Sequence, residues 1–365
     1  MPICGHFGRC PAALLESRQP LPARMRHQRA PRDDGVMWGT KARFAVGAFC
    51  GALLLVGSGC SSSNDEPSAG SSSASSASSA SSAPSALSGR IVFNRGDVGN
   101  GEGSLYIMNS DGSDVMLLFE RGASNARWAP DGSTISFFCC DDGMAAHFID
   151  PDTEDFRETA PPDPALEIHC GFAWSPDGER LPCESYGVDD PNRNGIYTIR
   201  VSDGGGLTRI TSNPGGGDIP GDYSPDGKRL VFVRLENDRP VGIFVINVDG
   251  SGLRRLTPKK MVLDESGFAG SWSPTGDILI VAHQGAGGPK RIWIVNADGG
   301  EPRPLPITLT CEFGCYSPSW SPDGKRIVFV RSNGSTEDIY ITRADGTDPI
   351  QLSEGDNPDW EPSHS

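Results

Sequence analysis

Residues 320–330 read Trp-Ser-Pro-Asp-Gly-Lys-Arg-Ile-Val-Phe-Val, an aromatic residue followed by a turn and a short apolar run. In the turn, Pro sets φ and Gly accepts a positive φ. The run from Ile327 to Val330 is apolar at every position, which is typical of a strand with both faces buried. This stretch therefore predicts a β-hairpin whose second strand lies between other sheets.

The same pattern recurs along the chain. Its aromatic residue occurs six times, at intervals of 46, 49, 49, 48 and 40 residues. These positions are Trp128, Trp174, Tyr223, Trp272, Trp320 and Trp360. A mean period of about 46 residues is typical of β-propellers, in which one four-stranded blade takes roughly 40–50 residues.

Each repeat divides into four predicted strands. The repeated aromatic residue closes the first strand, and the apolar run forms the second. The third strand carries an aromatic residue at a fixed place, and an Asp-Gly turn usually leads to a polar, amphipathic fourth strand. The third-strand aromatic residues are Tyr106, Phe148, Tyr197, Phe244, Trp293 and Tyr340.

The two ends of the repeat region predict how the ring closes. Residues 90–93 form a strand of the second type, whereas Trp360 closes a strand of the first type. Together they complete one blade, which gives an all-β, six-bladed propeller closed by pairing of the C-terminal strand with the N-terminal blade. Closure removes the unpaired sheet edges that an open array would expose.

Composition and charge agree with this class. The chain of 365 residues has 46 Gly and 30 Pro, a density that interrupts helices and supplies many turns. The net charge is −15, and residues 1–59 alone contribute about +5, so the remainder is strongly acidic. An acidic surface repels phosphate backbones, which excludes nucleic acid as a partner.

The repeated Trp-Ser-Pro-Asp-Gly and Asp-Gly turns resemble the WD-like repeats of the TolB-type propeller family and of the propellers in prolyl oligopeptidase-type enzymes. The resemblance covers residues 90–365. It implies the propeller fold, which serves both binding proteins and enzymes.

The N-terminal part has the features of an export signal. Basic residues precede an apolar run, 44–56, whose length is typical of a signal peptide. Residues 55–60, Leu-Val-Gly-Ser-Gly-Cys, resemble the lipobox of bacterial lipoproteins, although Gly57 stands where that family usually has Leu. The resemblance implies acylation of Cys60 and attachment to the periplasmic or outer side of the cell envelope. Cleavage by an ordinary signal peptidase, with Cys60 unmodified, is the alternative.

These features predict four segments. Residues 1–36 fit no part of a signal and are interpreted as a non-native upstream extension or a disordered segment, with translation starting at Met37. Residues 37–59 form the signal peptide. Residues 60–89 are rich in Ser and Ala and form a disordered tether. Residues 90–365 form the propeller, which we expect to be a monomer.

The connections between strands predict where a ligand binds. Because strands alternate in direction, the first-to-second and third-to-fourth turns share one face of the ring, which we call the short-turn face. The other connections vary in length and lie on the opposite, irregular face. Variable loops on a rigid ring are typical of binding sites. We therefore expect a protein, peptide or glycan to bind at the channel mouth on the irregular face.

One loop of this face resembles the start of a calcium loop. Asp190, Asn192 and Asn194 place oxygen side chains at alternate positions before Gly195. The Glu expected at position 12 is replaced by Val201. Calcium is thus the one cofactor that the sequence suggests, and an Asx-rich loop that binds no ion is the alternative.

Six cysteines follow Cys60, an even number that favours disulfides in an exported protein. The hairpin register places Cys170 opposite Cys183, within bridging distance. Cys311 and Cys315 are four residues apart and are predicted to staple one loop. Cys139 and Cys140 are predicted either to bridge each other or to remain as free buried thiols.

Catalytic motifs are not found. The sequence has no G-x-S-x-G, H-E-x-x-H or Walker motif, and its propeller histidines are scattered. We interpret His147 as a residue flanking a strand and His169 as a loop residue beside Cys170. The sequence therefore predicts a non-enzymatic binding scaffold, with no catalytic residue. The alternative is a lyase or lactone hydrolase that uses a metal or a His/carboxylate cluster at the channel mouth.

Overall fold

The computed structural model describes residues 89–96, 103–120, 122–139, 145–264, 270–285 and 287–362. The expectations for the upstream extension, the signal peptide, Cys60 and residues 60–88 of the tether fall outside these residues. Within the described ranges, no helix is long and apolar enough to cross a membrane.

The described residues form six antiparallel sheets of four strands each. The strands are β1 (Arg90–Arg95), β2 (Ser104–Asn109), β3 (Met116–Phe119), β4 (Ala123–Trp128), β5 (Ile135–Cys139), β6 (Ala146–Ile149), β7 (Phe156–Thr159), β8 (Leu166–Cys170), β9 (Arg180–Gly187), β10 (Gly195–Arg200), β11 (Thr208–Arg209), β12 (Asp218–Tyr223), β13 (Arg229–Glu236), β14 (Arg239–Asn247), β15 (Arg254–Arg255), β16 (Ser271–Trp272), β17 (Asp277–His283), β18 (Lys290–Asn296), β19 (Arg303–Pro304), β20 (Cys315–Trp320), β21 (Arg326–Ser332), β22 (Glu337–Arg343), β23 (Ile350–Glu354) and β24 (Asp356–Trp360).

The first blade joins the two ends of the ring. Its strand order is β24-β1-β2-β3, and the other five blades follow along the chain as β4–β7, β8–β11, β12–β15, β16–β19 and β20–β23. In blade 1, Ile91 pairs with Trp360 and Val92 pairs with Asp359. The predicted six-bladed propeller is confirmed, and the pairing of β24 with β1 agrees with closure by the C-terminal strand.

In blades 1, 4 and 6 an aromatic pair joins the second and third strands. Phe232 lies directly opposite Phe244, with ring centroids 5.6 Å apart, and Phe329 lies opposite Tyr340 at 5.9 Å. Such cross-strand pairs contribute roughly 0.5–1.5 kcal/mol beyond their buried area. In blades 2, 3 and 5 the third-strand aromatic residue lies opposite Ser136, Cys183 or Ile280 instead, so the aromatic pair accounts for the fixed position in three of the six blades.

The repeated turn is held by its own side chains. In blade 4, Ser224 Oγ donates to Asp226 Oδ1 at 2.6 Å and accepts from the backbone nitrogen of Arg229 at 2.9 Å. The next residue, Gly227, has a φ of 68°, which a side chain would strain. The Ser-Pro-Asp-Gly motif is therefore a self-contained hydrogen-bonded turn.

Both predicted disulfides are present. Cys170 on β8 lies opposite Cys183 on β9, with their Cα atoms 4.2 Å apart. Cys311 and Cys315 are bridged at a Cα separation of 5.5 Å. Cys139 is also disulfide-bonded, and Cys140 lies outside the described residues.

Candidate functional site

A cavity of about 330 Å³ opens at the centre of the ring. It is lined by residues from the ends of the six first strands and by the prolines of the turns that follow, so it lies on the short-turn face. We call it the funnel. Its lining consists of Arg127, Trp128, Pro130, Ala173, Trp174, Asp222, Pro225, Ser271, Trp272, Pro274, Ser319, Trp320, Ser321, Pro322, Asp359, Trp360 and Pro362.

The funnel floor is formed by the residue before each repeated aromatic. The aromatic side chain packs against the preceding blade, as Trp272 does against Val231 of blade 4. Because successive strand residues point in opposite directions, the residue before it faces the channel. From blade 1 to blade 6 these residues are Asp359, Arg127, Ala173, Asp222, Ser271 and Ser319.

Backbone bulges shape three of the inner strands. Asn125, Ser317 and Asn357 have φ values of 50°, 46° and 48°, and each lies where the register with the second strand shifts. Each of them is three residues before its repeated aromatic. Bulges re-aim side chains and often accompany functional sites. Here they lie directly below the floor of the funnel.

Asp222 is held by a neighbouring blade. Its Oδ2 accepts a hydrogen bond from the backbone nitrogen of Trp272 at 2.9 Å. Burial raises the pKa of the Asp222 carboxyl to about 6, although the bond from Trp272 and the positive charge of Arg127 act in the opposite direction. The negative charge of Asp359 adds to the rise.

Asp359 repeats this arrangement in blade 1. Its Oδ2 accepts from the backbone nitrogen of Trp128 at 2.9 Å, and its Oδ1 accepts from Ser319 Oγ at 3.0 Å. Burial raises the pKa of Asp359 as well, while Arg127 lowers it. The floor of the funnel thus carries two anchored carboxyl groups and one guanidinium.

The channel mouth on the irregular face, where the sequence predicts the ligand site, carries a cluster of one histidine and two glutamates. His169 Nε2 lies 3.1 Å from Glu167 Oε1, and His169 pairs across the sheet with Glu184. Tyr186 donates a hydrogen bond to Glu184, and burial raises the pKa of that carboxyl. The prediction that His169 lies in a loop is wrong. His169 lies in strand β8, because the β8–β9 pairing extends from Cys170 back to Leu166.

The predicted calcium residues are engaged with the protein. Asp190 Oδ1 accepts from the backbone nitrogen of Asn192 at 3.0 Å, where it caps a short 3₁₀ turn. Asn194 Oδ1 accepts from the backbone nitrogen of Gly187 at 2.9 Å. Among the described residues, no group of three or more His, Cys, Asp or Glu is arranged to hold a metal ion. Calcium binding by this loop stays a prediction and would require these bonds to be exchanged.

The other histidines are distributed through the fold. His147 lies within β6, is 3% exposed and packs beside Phe137 and Phe156. His283 ends β17 and makes a hydrogen bond of 2.7 Å with the carbonyl oxygen of Gly288. His364 lies outside the described residues. None of these described histidines lines the funnel.

The residues of the funnel floor are not part of the repeated motif. The aromatic residue of the motif recurs in every blade, whereas the residue before it differs between blades. This difference is the sequence feature that could have predicted the site, since Arg127, Asp222 and Asp359 are charged at a position with no role in the repeated turn.

Solved structures with the same architecture include two TolB proteins and one enzyme. TolB from Acinetobacter baumannii is 22% identical, covering 77% of this chain and 68% of its own, with a TM-score of 0.59. A putative TolB from Agrobacterium tumefaciens is 18% identical over 74% of this chain and 90% of its own, with a TM-score of 0.56. An oligogalacturonate lyase in complex with manganese is 15% identical over 73% and 74%, with a TM-score of 0.50. These identities show the fold alone.

A family match adds to this structural likeness. Residues 82–313 match the TolB beta propeller domain. Since this match spans more than half of the sequence, the chain belongs to the TolB beta propeller domain family.

Proposed function

We propose that this protein is a non-enzymatic binding scaffold of the bacterial cell envelope, which holds a protein, peptide or glycan partner at the funnel. The observation that supports this proposal is the funnel itself, to which all six blades contribute. Five of the six floor residues are polar or charged, and five prolines also line the cavity. A concave site with a few convergent polar groups is typical of ligand recognition.

Attachment to the envelope is part of the proposal. The disulfides fit an exported protein, since such bonds persist in oxidising compartments. Acylation of Cys60 would anchor the chain, and residues 61–88 would give the propeller reach from the membrane surface. Labelling cells with a fatty-acid probe tests this, because Cys60→Ser should lose both the label and the membrane fraction.

A matched pair of variants tests the binding function. Ser319 is half-buried and lines the funnel, so Ser319→Arg should obstruct it. Val188 is 60% exposed in a loop of the irregular face, so Val188→Arg is the matched control. A partner captured from envelope extract by the wild-type protein should be lost with Ser319→Arg and kept with Val188→Arg. Equal capture by all three proteins would reject the funnel as the binding site.

A second candidate function is favoured by the opposite mouth. The Glu167–His169 pair beside Glu184 is the kind of His/carboxylate cluster that a lyase or lactone hydrolase would need. Incubation with oligogalacturonate and manganese, or with lactones, tests this candidate. Turnover that is lost in His169→Ala would favour the enzyme over the scaffold.

A further inference from the structure

The charges on the funnel floor indicate which chemical group of a ligand the funnel would bind. We propose that the funnel receives a lysine side chain, or an equivalent primary alkylammonium group, presented by a partner peptide. This inference rests on the proposed function, since it assigns a ligand group to the same cavity.

The floor has more negative than positive groups. Asp222 and Asp359 come from blades 4 and 1, and Arg127 comes from blade 2. Arg127 Nη1 donates to the carbonyl oxygen of Ala126 at 2.8 Å, and within the described chain the guanidinium forms no ion pair. With both carboxylates ionised, these three groups leave an excess of one negative charge, which favours a cationic ligand.

Both carboxyl groups are already positioned. Each is fixed by a backbone N–H of the following blade, from Trp272 to Asp222 and from Trp128 to Asp359. An ionised carboxylate accepts about four hydrogen bonds, so lone pairs remain for an incoming ammonium. The protein therefore loses little conformational entropy when the ligand binds.

Burial makes a cation more favourable here than at the surface. The raised pKa of each carboxyl reflects the cost of removing its charge from water. An ammonium group in the funnel offsets that cost through a charge-assisted hydrogen bond. The same carboxylates would repel an anionic group.

The proline-lined wall of the funnel is suited to the methylene chain of a lysine. Five prolines line this wall, each two residues after the repeated aromatic residue of its blade. A lysine packs its methylene groups against apolar surface while its ammonium reaches polar partners. The volume of about 330 Å³ is at the lower end of the range of ~300–1,000 Å³ for ligand pockets. It accommodates a side chain and adjoining backbone.

A glycan fits this funnel less well. Sugar rings stack on open aromatic faces, but the indoles of Trp128 and Trp272 are only 4% and 7% exposed. Arg90 covers the Trp128 ring at 5.0 Å, and Arg229 covers the Trp272 ring at 5.1 Å. These two indoles therefore serve as packing between blades.

Three short peptides test the inference against the full chain. They share an acetylated and amidated Gly-Ala-X-Ala-Gly sequence in which X is lysine, norleucine or glutamate. Calorimetry at neutral pH and low salt should give a dissociation constant for the lysine peptide at least ~tenfold lower than for norleucine, and no measurable heat for glutamate. Equal binding of the lysine and norleucine peptides would overturn the inference.

Variants of the floor locate the bound ammonium. Asp222→Asn/Asp359→Asn keeps an acceptor for each backbone N–H and should weaken lysine-peptide binding at least ~tenfold. Arg127→Gln should strengthen it. Glu158→Gln/Glu301→Gln removes the same amount of charge at exposed positions and should leave affinity unchanged. Loss of affinity in this exposed pair to the same extent as in the floor pair would assign binding to general surface charge and refute the inference.

The two proposals fail in different ways. If Ser319→Arg abolishes capture of the partner but the lysine peptide binds no better than the norleucine peptide, the funnel binds a ligand group other than an ammonium. The lysine inference is then false. If capture does not depend on Ser319, the proposed function itself is false.

Discussion

Arg90 Nη2 donates a hydrogen bond to Glu361 Oε1 at 2.9 Å, joining residues 271 positions apart. The backbone nitrogen of Arg90 donates to the other carboxylate oxygen at 2.8 Å. The Glu361 side chain is 5% exposed, and its bond raises the pKa of Arg90. This ion pair lies beside the pairing of β24 with β1 and fixes the joint at which the ring closes.

Removing the acid of this pair should destabilise the propeller. We expect Glu361→Ala to lower the free energy of unfolding by about 2–4 kcal/mol, because it leaves a partly buried guanidinium without its main partner. Asp152 also contacts Arg90, but its side chain is 70% exposed. Asp152→Ala should therefore cost less than about 1 kcal/mol. Urea denaturation of both variants checks the difference, and equal losses would contradict the assigned role of Glu361.

The buried ion pair of Asp218 and Arg234 should contribute more to the free energy of unfolding than the pair of Arg90 and Glu361. Arg234 donates twice to Asp218, at 2.8 Å for each oxygen, and the Asp218 side chain is fully buried. Asp218→Ala leaves an unpaired charge, so we expect a loss of about 3–5 kcal/mol. Arg343→Ala breaks an exposed pair with Asp348 and should cost under about 1 kcal/mol. Thermal denaturation compares them, and a small effect of Asp218→Ala would disprove the prediction.

The disulfides should differ in their contribution to stability. Cys170 and Cys183 close a loop with a separation of 13, whereas Cys311 and Cys315 are separated by 4. Loop entropy predicts that Cys170→Ala/Cys183→Ala costs about 3 kcal/mol and Cys311→Ala/Cys315→Ala about 2 kcal/mol. Denaturation of each double variant under oxidising conditions gives the values. A larger loss for the shorter loop would show that loop entropy does not set the order.

Stability should depend on pH through Asp222. Its folded pKa of about 6 is higher than that of an unfolded aspartate, so its contribution is most favourable below about pH 4 and is lost as pH rises to about 6. Burial is the main cause of this raised pKa, and the charge of Asp359 adds to it, whereas the Trp272 nitrogen, Arg127 and Ser271 lower the pKa.

Asp222→Asn should therefore raise the melting temperature relative to wild type at pH about 7, and the gain should shrink as pH falls through about 6. Differential scanning calorimetry across this range measures the gain. Asp189→Asn, an exposed change, is the control and should show no such trend. A gain for Asp222→Asn that is constant with pH would contradict the assignment.

The sequence was sufficient for the fold because the repeat encodes local events. A turn such as Ser224–Gly227 is closed by its own hydrogen bonds, and the aromatic pairs follow from the alternation of side chains along neighbouring strands. The bridge between Cys170 and Cys183 follows from the same register.

The position of the cavity could not be predicted in the same way. It depends on how the ends of the inner strands from all six blades come together, and Asn125 and Ser317 lie where two of these strands shift register. These bulges have no turn motif to signal them. The carboxyl groups of Asp222 and Asp359 acquire their partners from the following blade, a relationship that no single repeat contains.

The pairing of β1 with β24 also imposes an order on folding. Strand β1 must wait for a partner strand more than 250 positions later in the chain, as the separation of 271 between Arg90 and Glu361 indicates. Contacts so distant in sequence slow folding, since the loop between them must be ordered first. Blades 2 to 6 can form as their own strands emerge, but blade 1 stays incomplete until β24 is available. The closing strand β24 therefore makes the completion of blade 1 a late step in folding.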